Sequence, residues 1–227
     1  MALARQGLGQ HGADGAVVFP SNDEFTPVWR TLAGSRRTAT FAMDGVAQPG
    51  SLVCVQARWA EGAWHVHVRG MGKDFVYRLS IAGRHNVKNS LAAAAAAFSA
   101  GVPESAVVAG LQAFEPVKGR SKVLRLAVQG RSVTLVDDTY NANPDSVRAA
   151  IDVLADLPGP HVLVLGDMGE VGHQGATFHA EAGRYAKAKG IEQMLTLGEL
   201  AQVAANAFDG AHHFEAVEQL VDALLHT

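Results

Sequence analysis

The sequence predicts an α/β protein of two domains, and three observations lead to that prediction. In the second half of the chain, short aliphatic runs alternate with segments of helical periodicity, as in a mostly parallel sheet flanked by helices. The first half instead carries hairpin signals followed by an alanine-rich helix. Between the halves, residues 116–119 (Pro-Val-Lys-Gly) have the composition of a linker. We therefore expect one domain over residues 1–116 and a second over residues 117–227.

Composition excludes several classes of function. The chain has 227 residues, 48% of them hydrophobic, and a formal net charge of −3. It has no dense Lys/Arg block, so we expect no nucleic-acid partner. Cys54 is the single cysteine, which excludes an internal disulfide and a multi-cysteine zinc site, and its valine neighbours predict a core strand position. No apolar run is long enough for a membrane span, so we expect a cytoplasmic protein without a membrane partner.

The first half is predicted to contain strands, one hairpin and three helices. The Gly-Met-Gly-Lys run at residues 70–73 superficially resembles a phosphate-binding loop, but Asp74 follows Lys73 where that motif needs Ser or Thr. A hairpin tip is the better interpretation. The predicted strands cover residues 16–19, 38–42, 52–56, 64–68 and 75–81, and the first helix covers residues 24–33. A short helix is also expected to end near residue 114.

A polar start at residues 83–90 leads into the alanine-rich helix, which we expect to end near Gly101. Asn86 and Asn89 are three residues apart and so share one face of the first helical turn. Their amides offer both donors and acceptors, which suits the edge of an adenine ring. A simpler interpretation, in which Asn86 only caps the helix, stays open at this point.

The most informative stretch follows a run of four aliphatic and β-branched residues, 133–136, which predicts a buried strand. Asp137 and Asp138 come at its carboxyl end, a polar loop follows, and a helix then starts. A strand end, acidic residues and a helix N-terminus in this order are typical of a ligand site in open α/β sheets. The alternative is a solvated turn. Successive strand residues face opposite ways, so we expect the two carboxylates to do different jobs.

The loop after these carboxylates is unusually polar, since it contains Thr139, Tyr140, Asn141 and Asn143. Asn143 is predicted to be the N-cap of the next helix, with Pro144 at its first position. Further strands are predicted at residues 123–128, 162–165, 194–197 and 212–214, and further helices at residues 176–189, 200–207 and 215–225. This alternation predicts a Rossmann-like domain.

Four of the six histidines in the second half stand close enough in the sequence to be weighed as metal-ligand pairs, and neither pair has suitable spacing. His212 and His213 are adjacent, whereas ligand pairs on a helix prefer a spacing of three or four. His173 and His179 are not placed as a ligand pair either. We interpret His212 and His213 as structural or solvated.

Three motifs carry a resemblance to one family. The Asp-Asp-Thr-Tyr-Asn-Ala-Asn-Pro run at residues 137–144 resembles the signature that opens the C-terminal domain of the Mur ligases. Gly-Arg-His-Asn-x-x-Asn at residues 83–89 resembles the motif whose asparagines contact the adenine of ATP. The run at residues 166–172 is similar to the family's Gly-Asp-Met-x-Glu-Leu-Gly loop. Within the family, the Tyr-Asn-Ala-Asn form resembles the branch that adds D-alanyl-D-alanine (MurF type).

The resemblance implies a fold, an activity and a set of site residues. Residues 1–116 would be the second half of the central ATP-binding domain, and residues 117–227 the Rossmann-like C-terminal domain, with ATP between them. The implied activity is an ADP-forming amide ligase of peptidoglycan precursor synthesis, with ATP, UDP-MurNAc-tripeptide and D-alanyl-D-alanine as substrates and an acyl phosphate as intermediate. The implied ATP-binding residues are His85, Asn86, Asn89, Arg120 and Asp138, with Arg120 also catalytic. The residues implied near the incoming amine are Tyr140, Asn141 and Asn143.

The sequence also departs from the family pattern. No Gly-Lys-Thr or Gly-Lys-Ser loop is present, and the resemblance places the family's Mg²⁺ ligands before the point where this chain begins. We therefore expect a chain truncated at the N-terminus, slightly short at the C-terminus, and inactive by itself. The alternatives are a non-catalytic module that binds an adenine nucleotide or the dipeptide, and another ligase of the Mur or folylpolyglutamate synthase type.

Overall fold

The computed structural model describes residues 15–169 and 171–225, and the chain divides into two compact units after Glu115. The sequence predicts this division one residue later, after residue 116. We refer to the part up to Glu115 as the N-terminal unit and the part from Pro116 as the C-terminal unit. Each unit folds around a hydrophobic core of its own. Within the described ranges, no helix combines the length and the hydrophobicity of a membrane span.

The N-terminal unit is built on a five-stranded sheet in the order β1-β2-β3-β4-β5. Strands β1 to β3 are parallel, and β3 to β5 are antiparallel. The strands are β1 (Ala16–Pro20), β2 (Arg37–Ala42), β3 (Ser51–Ala60), β4 (Ala63–Gly70) and β5 (Lys73–Leu79). The helices are α1 (Thr26–Ala33), α2 (Arg84–Ser99) and α3 (Glu104–Gln112).

The predicted hairpin is confirmed, because β4 and β5 are joined by Met71 and Gly72, both at positive φ (51° and 71°). Such a turn matches the twist of the two strands it joins. Alternate residues of β5 are buried, and two of them contact α2: Tyr77 shares a hydrogen bond with Ser90, and the ring of Phe75 lies edge to face with that of Phe98. Cys54 lies in this core as predicted, and burial raises the pKa of its thiol.

The C-terminal unit contains a three-stranded parallel sheet in the order β10-β9-β8 and a separate two-stranded antiparallel sheet of β6 and β7. Its strands are β6 (Lys122–Val128), β7 (Arg131–Asp137), β8 (Val162–Leu165), β9 (Gln193–Leu197) and β10 (His212–Phe214). Its helices are α4 (Pro144–Ala155), α5 (Gly175–Ala188), α6 (Ala201–Phe208) and α7 (Val217–Leu225), and a 3-10 turn covers Gly172–Gln174. The predicted alternation of strands and helices is confirmed.

Tight helix packing closes the core of this unit. A Cβ placed on Gly183 of α5 would lie 2.2 Å from the carbonyl oxygen of Ala204 on α6. The two helices are therefore in backbone contact at this point, and no larger residue fits. The parallel sheet contributes Leu165 and Met194 to the same core, together with Ile151 of α4.

The prediction that residues 133–136 form a buried strand is wrong. They do form a strand, but Val133 and Leu135 are 41% and 44% exposed. The reason is that β7 pairs with β6 through the turn at Gln129 and Gly130 instead of joining the parallel sheet. An aliphatic run makes a strand suitable for burial. Whether the strand is buried depends on the strands and helices that pack against it.

Candidate functional site

Two carboxylates at the end of β7 hold the backbone at the end of the linker and directly after it. Asp137 accepts a hydrogen bond from the amide of Gly119 at 3.1 Å and another from the Thr139 hydroxyl at 2.7 Å. Asp138 accepts from the amide and the hydroxyl of Ser121, at 2.9 and 3.3 Å, both through Oδ1. We call residues 119–121 together with Asp137 and Asp138 the linker clasp. The two carboxylates thus do closely related jobs on neighbouring peptide groups.

The surroundings of Asp137 favour its ionised form. The hydrogen bond from the Thr139 hydroxyl lowers the pKa of this carboxyl, and partial burial opposes that change. The backbone amides of Thr139 and Gly119 and the charge of Lys118 lower its pKa further. The net effect is a pKa below the ordinary value, because hydrogen bonds to a charged group stabilise that form.

Arg120 lies over the ring of Tyr140. Its guanidinium carbon is 3.9 Å from the ring centroid, and the Tyr140 amide donates to the Gly119 carbonyl at 3.1 Å. Within the residues that the structure describes, the guanidinium makes this ring contact and no hydrogen bond or ion pair. Its N–H groups, which suit phosphate oxygens, remain available. Both side chains are exposed.

The next two candidate residues order the start of α4. Asn143 accepts from the Ser146 amide at 2.8 Å, and the Asn143 amide donates to the Ser146 hydroxyl at 2.9 Å, which completes a capping box. The predicted N-cap at Asn143 and the first-turn Pro144 are thereby confirmed. Asn141 bonds locally to the amide of Ala142. Since the cap uses the Asn143 side-chain oxygen, its NH₂ group is the part left for a ligand.

In the N-terminal unit, the predicted pairing of two asparagines on one helical face is confirmed. The Asn89 amide nitrogen donates to the Asn86 side-chain oxygen at 3.3 Å, and Asn86 itself donates to the carbonyl of Ala82 at 2.7 Å. The alternative of Asn86 as the helix cap is wrong, because the N-cap is Gly83 and no side chain caps α2. His85 is exposed at the same helix start.

Each unit therefore brings together a different part of the predicted set. The first turn of α2 groups His85, Asn86 and Asn89, all within the N-terminal unit. Arg120, Asp138 and Tyr140 meet around the linker clasp in the C-terminal unit. The sequence does not reveal Gly119 and Ser121 as hydrogen-bond partners of the two carboxylates. Gly119, which has a φ of 77°, directly precedes Arg120.

A buried histidine that the sequence left unassigned orders the loop after β8. His179 is fully buried, and its Nε2 accepts from the Met168 amide at 2.9 Å. This arrangement requires the Nδ1–H tautomer, which donates to the Gly175 carbonyl at 2.7 Å. In the same loop, Asp167 accepts from the Ala201 amide at 2.7 Å and so caps α6. Glu170 of the family-like motif lies outside the described residues.

A pattern in the sequence does mark His179. It shares a helical face of small residues with Ala182, Gly183 and Ala186, all of them buried. A lone histidine on such a face is a core residue with hydrogen-bond partners, since a buried imidazole must satisfy both nitrogens.

The described residues contain no group of three His, Cys, Asp or Glu side chains suited to a metal ion. They therefore do not fit the Mg²⁺ that the family resemblance implies, and no step below is assigned to a metal.

Comparison with known proteins identifies relatives of both units. A family model described as the Mur ligase, glutamate ligase domain matches residues 119–227. The UDP-N-acetylmuramoyl-tripeptide–D-alanyl-D-alanine ligase of Escherichia coli (strain K12) is 33% identical over 227 residues, covering 96% of this chain and 46% of that protein. The Haemophilus influenzae protein of the same name is 38% identical over 143 residues, 63% of this chain and 30% of that protein. The chain thus spans less than half the length of these curated relatives.

Solved structures agree with the sequence relatives. A crystal structure of MurF from Acinetobacter baumannii superposes with a TM-score of 0.84 at 27% identity, covering 98% of this chain and 47% of that one. MurF from Thermotoga maritima in complex with ADP has a TM-score of 0.73 at 23% identity, covering 93% and 47%, which shows the fold alone. The expected α/β class and Rossmann-like C-terminal domain are confirmed. The chain therefore belongs to the Mur ligase family, and its residues 119–227 match that family's glutamate ligase domain.

Proposed function

We propose that this chain is part of a cytoplasmic, ADP-forming amide ligase of peptidoglycan precursor synthesis. The ligase joins D-alanyl-D-alanine to UDP-MurNAc-tripeptide. The observation that carries the proposal is 33% identity along 96% of the chain to an E. coli protein whose name states that reaction. The Tyr140 to Asn143 loop supports this branch of the family, because it combines an aromatic ring with two amides directly after the linker clasp.

The N-terminal unit would recognise the adenine base. Asn86 and Asn89 present amide groups on one face of the first turn of α2, and His85 is exposed next to them. An adenine edge offers both a donor and acceptors, so a pair of amides complements it. On this proposal, residues 1–116 belong to the ATP-binding central domain of the ligase.

The C-terminal unit would bind the ribose and the phosphates of ATP. Asp138 uses only Oδ1 within the described part of the chain, so Oδ2 is available to accept from a ribose hydroxyl. Arg120 would direct its N–H groups to the phosphate oxygens. Tyr140, Asn141 and Asn143 would line the approach of the dipeptide amine.

The proposed chemistry needs no covalent nucleophile from the protein. The γ-phosphoryl group of ATP passes to the tripeptide carboxylate, which gives an acyl phosphate and ADP. The amine of D-alanyl-D-alanine then attacks the acyl carbon, loses a proton and forms the amide as inorganic phosphate leaves. Arg120 would offset the charge on the phosphoryl oxygens, and the remaining residues act by holding the reactants in place.

We further propose that the isolated chain does not turn over, because none of its 227 residues forms a Gly-Lys-Thr or Gly-Lys-Ser loop. Phosphate release in the presence of all three substrates measures this directly. Sustained release would contradict the proposed inactivity. Binding of ADP without release would agree with it, and would also agree with the alternative of a non-catalytic nucleotide-binding module.

The role of Asp138 can be tested by a matched substitution. Asp138→Asn keeps an oxygen for Ser121 but replaces the available carboxylate oxygen with a donor. Calorimetric titration should show ADP binding weakened roughly ten-fold, since hydrogen bonds to charged groups are the stronger ones. Wild type should prefer ADP to 2′,3′-dideoxy-ADP, and D138N should lose that preference.

Ser121→Ala serves as the control, because it removes one bond of the clasp and leaves the carboxylate intact. An equal preference for ADP in wild type and D138N would rule out ribose binding by Asp138. No binding of ADP by the wild-type chain would count against a nucleotide site in it.

A further inference from the structure

We propose that Tyr140 is a positioning residue that holds the Arg120 guanidinium flat and presents its N–H edge to an anionic group. The observation is the stacking of Arg120 over the Tyr140 ring at 3.9 Å, with no hydrogen bond or ion pair to any other described residue. A guanidinium carbon 3.9 Å from a ring centroid is at the separation of a face-on stack, and such a stack leaves the in-plane N–H donors unused. That is the orientation in which two parallel N–H groups can meet a phosphate.

The backbone on both sides of Arg120 is fixed. A Cβ on Gly119 would lie 2.8 Å from the Tyr140 nitrogen, so the two backbones are in direct contact. Ser121 is buried at a φ of 48°, a conformation that non-glycine residues seldom adopt. Asp138 holds Ser121 there through two hydrogen bonds. Arg120 is thereby delivered to the ring from a rigid base.

The stack then removes the remaining freedom of the side chain. A free arginine side chain rotates about several bonds, and ordering it opposes anion binding. A ring in contact with the guanidinium orders the side chain before the anion binds, so less conformational entropy is lost on binding. Cation–π contacts at exposed sites have this stabilising effect. Loss of the ring should therefore weaken binding of the anion by roughly two- to five-fold, which is the usual size of such a contact.

The identity of the anion rests on the proposed function, which makes it a phosphate of the nucleotide. The contact between Arg120 and Tyr140 is independent of the proposed function. Both residues lie in the C-terminal unit, and their contact can be measured without a ligand. The role differs from that of a residue lining the amine's path, because it acts through Arg120. The two roles predict different behaviour toward ADP and adenosine.

The contact is tested by NMR of the ligand-free chain with labelled arginine. Ring currents of Tyr140 should shift the Arg120 side-chain protons upfield. Tyr140→Leu should remove the shift, and Tyr140→Phe should restore it because the ring is retained. Tyr185→Leu is the matched control, since Tyr185 also lies under cations, Arg148 and Lys189, elsewhere in the same unit. An Arg120 signal that is the same in wild type and Y140L would overturn the proposal.

The consequence is tested by calorimetric titration with ADP and with adenosine. Y140L should weaken ADP binding roughly two- to five-fold, leave adenosine binding unchanged, and recover in Y140F. Equal losses for ADP and adenosine would mean that Tyr140 does not act through Arg120. If the wild-type chain binds neither ligand, the proposed function fails, while the NMR result still decides whether Tyr140 orients Arg120.

Discussion

At the scale of single residues, the linker clasp shows how partners set the role of a side chain. Asp137 and Asp138 are adjacent, and they accept hydrogen bonds from the backbone amides of Gly119 and Ser121 respectively. The family resemblance implies ribose binding by Asp138, and the structure adds a second duty to the same carboxylate. A substitution there therefore affects both stability and any ligand, which is why matched variants are needed.

The lowered pKa of Asp137 predicts a pH-dependent contribution to stability. A carboxyl whose pKa is depressed in the folded state stabilises the protein at pH values above its unfolded-state pKa, here 3.8. This stabilisation is lost as the pH falls through the folded-state pKa. The stability difference between wild type and Asp137→Asn should thus be constant from about pH 7 to about pH 5 and shrink below that. Urea unfolding at a series of pH values measures it. A difference independent of pH down to about pH 3 would contradict the assignment.

At the scale of elements, caps and loop anchors decide where helices begin. The capping box of α4 satisfies amides that the helix itself leaves unpaired. The loop after β8 is fixed at two points. Its Met168 amide donates to His179 of α5, and its Asp167 carboxylate accepts from the Ala201 amide of α6. Both devices lie at carboxyl ends of strands, where the loops that carry candidate site residues start.

Loss of the α4 cap should cost stability. Asn143→Ala removes the acceptor for the Ser146 amide, and we expect a loss of about 1 kcal/mol in the free energy of unfolding. Asn143→Asp keeps the acceptor and should retain most of the stability. The two variants are compared by urea unfolding followed by far-UV circular dichroism. If N143D were as unstable as N143A, the cap would not explain the effect.

Loss of the His179 anchor should cost more than loss of an exposed histidine. His179→Leu leaves the buried Met168 amide without an acceptor, which typically costs about 1–3 kcal/mol. His212→Leu, at an exposed position, should change stability by less than about 0.5 kcal/mol. Circular dichroism is the appropriate probe, because Trp29, Trp59 and Trp64 all precede the division at Glu115 and do not report on this unit. Similar losses in the two variants would disprove the anchoring role.

At the scale of the whole molecule, the chain is two units with separate cores, joined by a segment with little structure of its own. Phe114 is exposed in that segment, between the end of α3 and the linker clasp. A protease needs several residues of accessible, extended backbone. The clasp orders residues 119–121, whereas residues 113–116 have no such anchor among the described side chains.

We therefore predict that, among the described residues, the first bond cut by dilute chymotrypsin is the one directly after Phe114. Mass spectrometry should detect two fragments of roughly half the mass each, and both should resist further digestion because each contains its own core. Phe114→Ser should remove this cut. Initial cleavage inside α2 or α5 instead would contradict the division into two compact units.

Much of the fold followed from the sequence because its signals are local. The turn at Met71 and Gly72, the Asn143 cap and the paired asparagines of α2 each depend on residues within a few positions of one another. Periodicity placed most strands and helices for the same reason. The motifs also indicated the family, since their residues are contiguous in the chain.

What only the tertiary structure decided was every contact between distant parts of the chain. It put β7 in a hairpin with exposed aliphatic residues, joined the carboxylates at its end to residues 119–121, laid Arg120 on Tyr140, and buried His179 against the Met168 amide. Local propensity determines which elements form, whereas their partners depend on packing and hydrogen bonds across many residues of chain. That is why the sequence identified most of the candidate residues, and only the folded chain showed what holds them in place.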